Sequence, residues 1–275
     1  MSLQVGESPV IDILLGPLLS LGSLAIYRRA ARRPLSHGLT YLGWLALLFA
    51  SAVMVVVSTV WLPAADDFAA WLEAHVPEMR ITKDGVVTTE PDPVVLTHPT
   101  LGKILVVDTS KDIPTAEDLG GAPVFVGRRH VTIANGPRGE QRVFDVTEAN
   151  GGSWVGTTVD GRLVHDVYGR LRAYAGPIAF LLLVAVFFTW KLLAALLYSV
   201  LGVVLNRFRK EPLPYASVLN VTFFAMTMVV ALQAVALLGG PTPLRVGRLA
   251  AWVITGAYLA AALLPPDRRP DSTAS

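Results

Sequence analysis

Val106-Val107-Asp108-Thr109-Ser110 is the string in this chain that comes nearest to a reacting centre. Two apolar residues followed by Asp-Thr-Ser match one half of an aspartic-protease site, where paired aspartates share a proton and activate water. The sequence holds no second copy, so protease chemistry would need a dimer. The simpler reading is a strand-ending turn whose side chains bond nearby backbone N–H groups. His98, His130 and His165 lie among many carboxylates, but no pair has the i, i+4 or HExxH spacing of zinc sites, and isolated surface histidines are expected. Gly152-Ser153-Trp154-Val155-Gly156 misses the G-x-S-x-G spacing of a nucleophile elbow and reads as a glycine-rich loop. Lys191 stands inside an apolar run, where an ionisable group is a functional candidate by default. Its four-carbon stem is expected to snorkel towards the cytoplasmic face; a buried contact to Gln233, Asn220 or a partner subunit is the alternative, and a transport role the third reading. Asn220 and Gln233 read as interhelical hydrogen-bonding groups. With 0 cysteines, disulfides, thiol catalysis and iron–sulfur ligation are excluded. No catalytic, cofactor-binding or metal-ligating residue is assigned, and no cofactor is expected.

The elements that would carry these residues are dominated by four apolar stretches. A hydrocarbon slab of about 30 Å takes roughly 20 helical residues, because every backbone polar group must be satisfied within the segment. Residues 38–62, 174–206, 215–238 and 249–266 meet that need as four spans, and 53% hydrophobic against 16% charged residues agrees. Arg28, Arg29, Arg32 and Arg33 precede the first span, and Arg207, Arg209 and Lys210 follow the second. Basic residues near span ends resist translocation, so these clusters mark the cytoplasmic side, with 207–214 a cytoplasmic loop, 239–248 an external one and 267–275 a cytoplasmic tail. Residues 1–37 form an N-terminal cytoplasmic-side segment. Within it, Asp12, Gly16, Ser20 and Ser23 recur at helical spacing as a polar stripe, which suits a helix lying in or dipping into the interface, a fifth crossing being the alternative.

Between the first two spans, residues 63–173 have a different grammar. Asp66 to Val76 is helical, and β-favouring runs follow at 79–82, 86–88, 94–97, 104–107, 124–126, 131–134 and 142–146, separated by glycine, proline and asparagine turns. Residues 161–174 then form a helix leading back to the membrane. The fold class is thus an α-helical polytopic membrane protein of four spans plus an N-terminal interfacial helix, with a small extracytoplasmic β-rich α+β domain inserted between helices 1 and 2. The insert carries 11 basic and 16 acidic residues, which argues against nucleic acid as a partner.

The run from Val76 to Val87, with Ile81 and Gly85, then Ile104-Leu105-Val106-Val107-Asp108-Thr109, then Thr115-Ala116-Glu117-Asp118-Leu119 and the late Val143-Phe144-Asp145 resembles the DUF1189 family of bacterial membrane proteins. That family has an opening ending in I-x-x-G, a hydrophobic strand ending in Asp-Thr and an S/T-x-E-D-L segment, and its layout of one span, an extracytoplasmic domain and three closing spans is similar to this chain over nearly its whole length. The resemblance is loosely Yip1-like. It implies residence in the bacterial cytoplasmic (inner) membrane, and an association of some members with maltodextrin utilisation, but no established biochemical role. The expected function is a non-enzymatic accessory, scaffold or sensor subunit, with the bilayer and other membrane subunits, or a second copy of the chain, as partners. The alternatives are a transport-associated component acting on oligosaccharide or lipid and, more remotely, an aspartic-protease-like enzyme.

Overall fold

The computed structural model describes residues 9–135, 140–148, 153–239 and 247–263. The chain divides into two compact units, Met1–Trp61 with Gly176–Ser275, and Leu62–Ala175. Residues 136–139, where a turn is expected, residues 149–152, most of 239–248 and the tail after 263 lie outside the described residues.

The helical unit begins with three short helices, α1 (Pro9–Leu14), α2 (Gly16–Gly22) and α3 (Leu24–Arg32), in place of the single interfacial helix expected. Pro17 sits in the first turn of α2, where its missing N–H has no partner to lose. Arg33, held extended by the following proline, ends α3, and Pro34 opens α4 (Leu35–Val56). A π-helical turn, Val57–Trp61, and α5 (Leu62–His75) continue the same run. After the β-rich insert come α7 (Gly161–Asn206), α8 (Tyr215–Ala225), α9 (Thr227–Leu238) and α10 (Arg248–Leu263). Among the described residues three helical runs are long and apolar enough to cross a membrane, Leu35–His75, Gly161–Asn206 and Tyr215–Leu238, and α10 is a shorter apolar helix.

The core of this unit gathers Ile26 and Tyr27 from α3, Tyr41 and Leu42 from α4, Val218, Phe223 and Phe224 from α8, and Leu259 and Leu263 from α10. Tyr41 stacks on Phe224 with ring centroids 3.7 Å apart, and its hydroxyl shares a 2.6 Å hydrogen bond with Thr227. Around this core the outer face of α7 leaves Leu181, Leu182, Val186, Trp190, Leu193 and Leu197 exposed. A helix whose outward side is that apolar is built for hydrocarbon. The polar stripe on α1 and α2 runs against expectation: Asp12, Gly16 and Ser20 are buried, so the stripe turns in towards protein and the apolar side turns out.

The β-rich unit is layered. Strands β1 (Met79–Thr82), β2 (Gly85–Thr88) and β8 (Thr158–Val159) form a three-stranded sheet in the order β2-β1-β8. Strands β3 (Val94–His98), β4 (Gly102–Val107), β5 (Val124–Val126), β6 (His130–Asn135) and β7 (Glu140–Asp145) form a second sheet in that order, antiparallel except for the β4–β5 pair. That parallel pair needs a crossover, which carries the short helix α6 (Ala116–Leu119). Successive strand residues face opposite ways, and two small cores result. Val107 and Val126 pack with Met79 and Val86, while Val106 and Phe125 pack with Leu119 and Ala122.

Candidate functional site

Lys191 lies fifteen residues from the Asn206 end of α7 and as many from Gly176, the start of that helix's share of the helical unit. It does not snorkel. The side chain is 6% exposed, its Nζ donates a 2.9 Å hydrogen bond to Gln233 Oε1 on α9, and it lies 5.2 Å from the centre of the Phe187 ring. Turned inward to an amide and a ring face, the ammonium finds its partners within the protein. Below it Ala195, Ser199, Gly202 and Asn206 continue the buried face of α7. Asn206 closes the following turn, donating to Leu213 O at 2.8 Å and accepting from Leu213 N at 3.0 Å.

Asn220 is fully buried on α8. Its Nδ2 donates to the carbonyls of Ala30, Arg33 and Pro34 at 3.3, 2.8 and 3.2 Å, tying α8 to the junction where α3 ends and α4 begins. The amide fits because residue 38 is glycine: a Cβ there would fall 2.2 Å from Asn220 Oδ1 and 2.7 Å from the Phe223 ring. Asp12, 2% exposed, faces Arg29 at 3.3 Å and Arg33 at 3.8 Å. That buried ion cluster is absent from the expectations. Its signal was the one-turn spacing of Arg29 and Arg33 together with a lone acid in an apolar segment. Arg28 and Arg32 of the basic cluster are exposed, as are Arg207 and Lys210, while Arg209 donates to the last described carbonyl of α10, Leu263 O, at 2.8 Å. The ends of α3, α7 and α10 and the start of α8 therefore gather the basic residues at one end of the helical unit.

In the β-rich unit the family-like motif residues hold the fold. Ile81 is buried, and its backbone bonds Gly156 and Thr157 beside β8. Gly85 has φ +128°, and a Cβ there would meet Arg128 O at 2.3 Å; only glycine lets the β1–β2 turn come that close to the second sheet. Asp108 caps its own turn by accepting from Ser110 N at 3.1 Å, and Thr109 donates to Asp92. Thr115 and Asp118 form a reciprocal capping box on α6, with Lys111 as a further partner of Asp118. The Asp118 carboxyl is pulled down to about 2, first by the Lys111 ammonium and then by the Thr115 amide and hydroxyl. Glu117 is exposed in the first turn and Leu119 is core.

The three histidines are not isolated. His98 meets Trp71 edge-on with centroids 4.7 Å apart, His130 faces Asp145 at 3.9 Å, and His165 bonds Glu73 at 3.1 Å. This last pair belongs to an antiparallel match between α5 and the first turns of α7. Asp66 accepts from Tyr168 at 2.6 Å and from Arg172 at 2.7 Å, and a Cβ on Gly161 would strike Glu73 O at 2.3 Å. Asp66 and Glu73 are seven residues apart, as are His165 and Arg172, a heptad-like pairing that the sequence carries without announcing. Among the described residues no group of three or more metal-ligating side chains forms.

Three helices suited to a bilayer and a β-rich insert define a polytopic membrane-protein class. The chain belongs to the DUF1189 family, whose sequence model, described as a protein of unknown function, matches residues 18–263. No curated protein and no solved structure matches it.

Proposed function

We propose that this protein is a non-enzymatic accessory, scaffold or sensor subunit of an assembly in the bacterial cytoplasmic membrane, with α10 as its fourth span, its C-terminus in the cytoplasm and residues 63–173 outside. The gathering of Arg33, Arg209 and their basic neighbours at one end of the helices supports that orientation. The observation that carries the binding role is β7. Among the described residues it is the edge of its sheet, and Gln141, Arg142, Val143 and Phe144 are all exposed, so apolar side chains emerge from both faces of that edge. Such an edge is a template for an added strand. The domain binds an extended protein segment of a partner subunit there. Recovery from mild detergent should return a stoichiometric partner with the natural chain and lose it with Phe144→Glu; a chain that purifies alone as a compact monomer sinks the reading.

Transport-associated work on oligosaccharide or lipid is a second reading, favoured by the buried Lys191–Gln233 pair midway along an apolar helix. Solute uptake into vesicles that is unchanged in Lys191→Leu removes it.

A further inference from the structure

We infer that α1 to α3 form a re-entrant hairpin embedded in the cytoplasmic leaflet, with lipid acyl chains as its partner; which leaflet this is rests on the orientation proposed above. The segment folds back on itself: Asp12 near its start meets Arg29 and Arg33 at its end, and Tyr27 OH donates to Ser20 O across the turn at 2.6 Å. Its polar groups face inward and are answered there. Ser20 Oγ donates to Pro17 O, backbone bonds from Leu15, Leu18 and Leu19 bridge the α1–α2 break, and at the α2–α3 break Ser23 N closes α2 on Leu19 O while Tyr258 OH donates to Leu21 O at 3.1 Å. A segment lying on the surface would turn its polar stripe to water; this one buries it and presents Val10, Leu14, Leu18 and Leu24, of which Leu18 is 71% exposed. That inversion, with the α1–α2 break bridged and the last carbonyls of α2 answered by Ser23 N, Tyr27 and Tyr258, suits residence in hydrocarbon.

Depth follows from internal landmarks. Leu21 is bonded to Tyr258, five residues before Leu263, whose carbonyl takes the Arg209 bond at the basic end. Five helical residues cover about 7–8 Å of a slab of about 30 Å. The turn therefore stays within one leaflet, and the chain enters and leaves on the same side. Arg28 and Arg32, exposed one turn apart near the exit, reach headgroup level.

The cysteine-free chain makes this testable at full length in reconstituted vesicles. Ser36→Cys and Ser110→Cys should label with an impermeant maleimide from the cytoplasmic and external faces respectively. Leu18→Cys should react about tenfold or more slowly than Ser36→Cys from either face, since the thiolate that reacts does not form in hydrocarbon. A bimane placed on Leu18→Cys should be quenched by lipids brominated along their chains. Rapid labelling of Leu18→Cys from the cytoplasmic side makes the segment a surface helix, rapid labelling from outside makes it a crossing, and absence of quenching denies lipid contact; each overturns the inference. If Ser36→Cys and Ser110→Cys exchange faces while Leu18→Cys stays shielded and quenched, the orientation falls and the hairpin stands in the opposite leaflet.

Discussion

The helical and β-rich units solve the same problem of unpaired polar groups in opposite ways. In the helical unit several buried polar side chains are set against another element: Asn220 against the end of α3, Lys191 against Gln233, Asp12 against two arginines. In the β-rich unit carboxylates are many, and several are spent on their own turn, as with Asp108, Asp118 and Asp145. Where water is scarce a polar group must be met across the fold, because an unmet one costs several kcal/mol, on the order of 2–7; where water is plentiful it need only shape a loop. Single polar or glycine changes should then cost most in the helical unit.

Gly38→Ala is the hardest test. The added methyl would overlap both Asn220 Oδ1 and the Phe223 ring, and α8 cannot withdraw without breaking three bonds to the α3–α4 junction. A loss of about 3 kcal/mol is expected, read as a lowered melting temperature in detergent. Gly85→Ala is the β-rich counterpart and should cost somewhat less, on the order of 2 kcal/mol, from positive φ and the close Arg128 carbonyl. A larger loss at Gly85 than at Gly38 would break the contrast.

The Lys191–Gln233 pair sharpens it. Lys191→Met keeps the stem's packing but leaves Gln233 Oε1 without its donor, an expected cost of about 1–2 kcal/mol. Adding Gln233→Leu should recover most of that, because a buried polar pair replaced by apolar groups of similar volume is close to neutral. A double-mutant cycle by thermal unfolding measures the coupling; additive losses would mean that the two side chains do not depend on one another.

How much of this was legible in the sequence follows the same division. The strand runs emerge at nearly their observed places because alternation and turn residues are local signals, and the apolar helices emerge from length alone. What stayed hidden is long-range. Nothing near Lys191 says that Gln233, forty-two residues later, is its partner. The polar stripe of α1 and α2 was visible, but spacing alone does not tell whether a stripe faces water or an ion cluster. The motif residues Gly85, Asp108 and Asp118 were visible as types, and only the fold shows them occupied with a close approach, a turn and a cap.

The smallest expected effect lies at Asp118, and its sign is fixed. Its carboxyl is held at about 2, first by Lys111 and then by Thr115, below the ordinary value of about 3.9 for an aspartate. A group whose folded value is depressed contributes stability above its unfolded value and loses it as pH falls through the folded one. The cap on α6 should therefore hold at neutral pH and weaken progressively between about pH 4 and pH 2. The Thr115 amide, which donates to Asp118 Oδ2 at 2.9 Å, is the reporter: its NMR shift in the full-length protein should titrate in that window. In Asp118→Asn the titration should vanish while the overall melting temperature barely moves, because the pair is exposed to water. A large drop in melting would mean that α6 bears on the Val106–Phe125 core more than its four residues suggest, and the β-rich unit would then share the helical unit's dependence on single polar contacts.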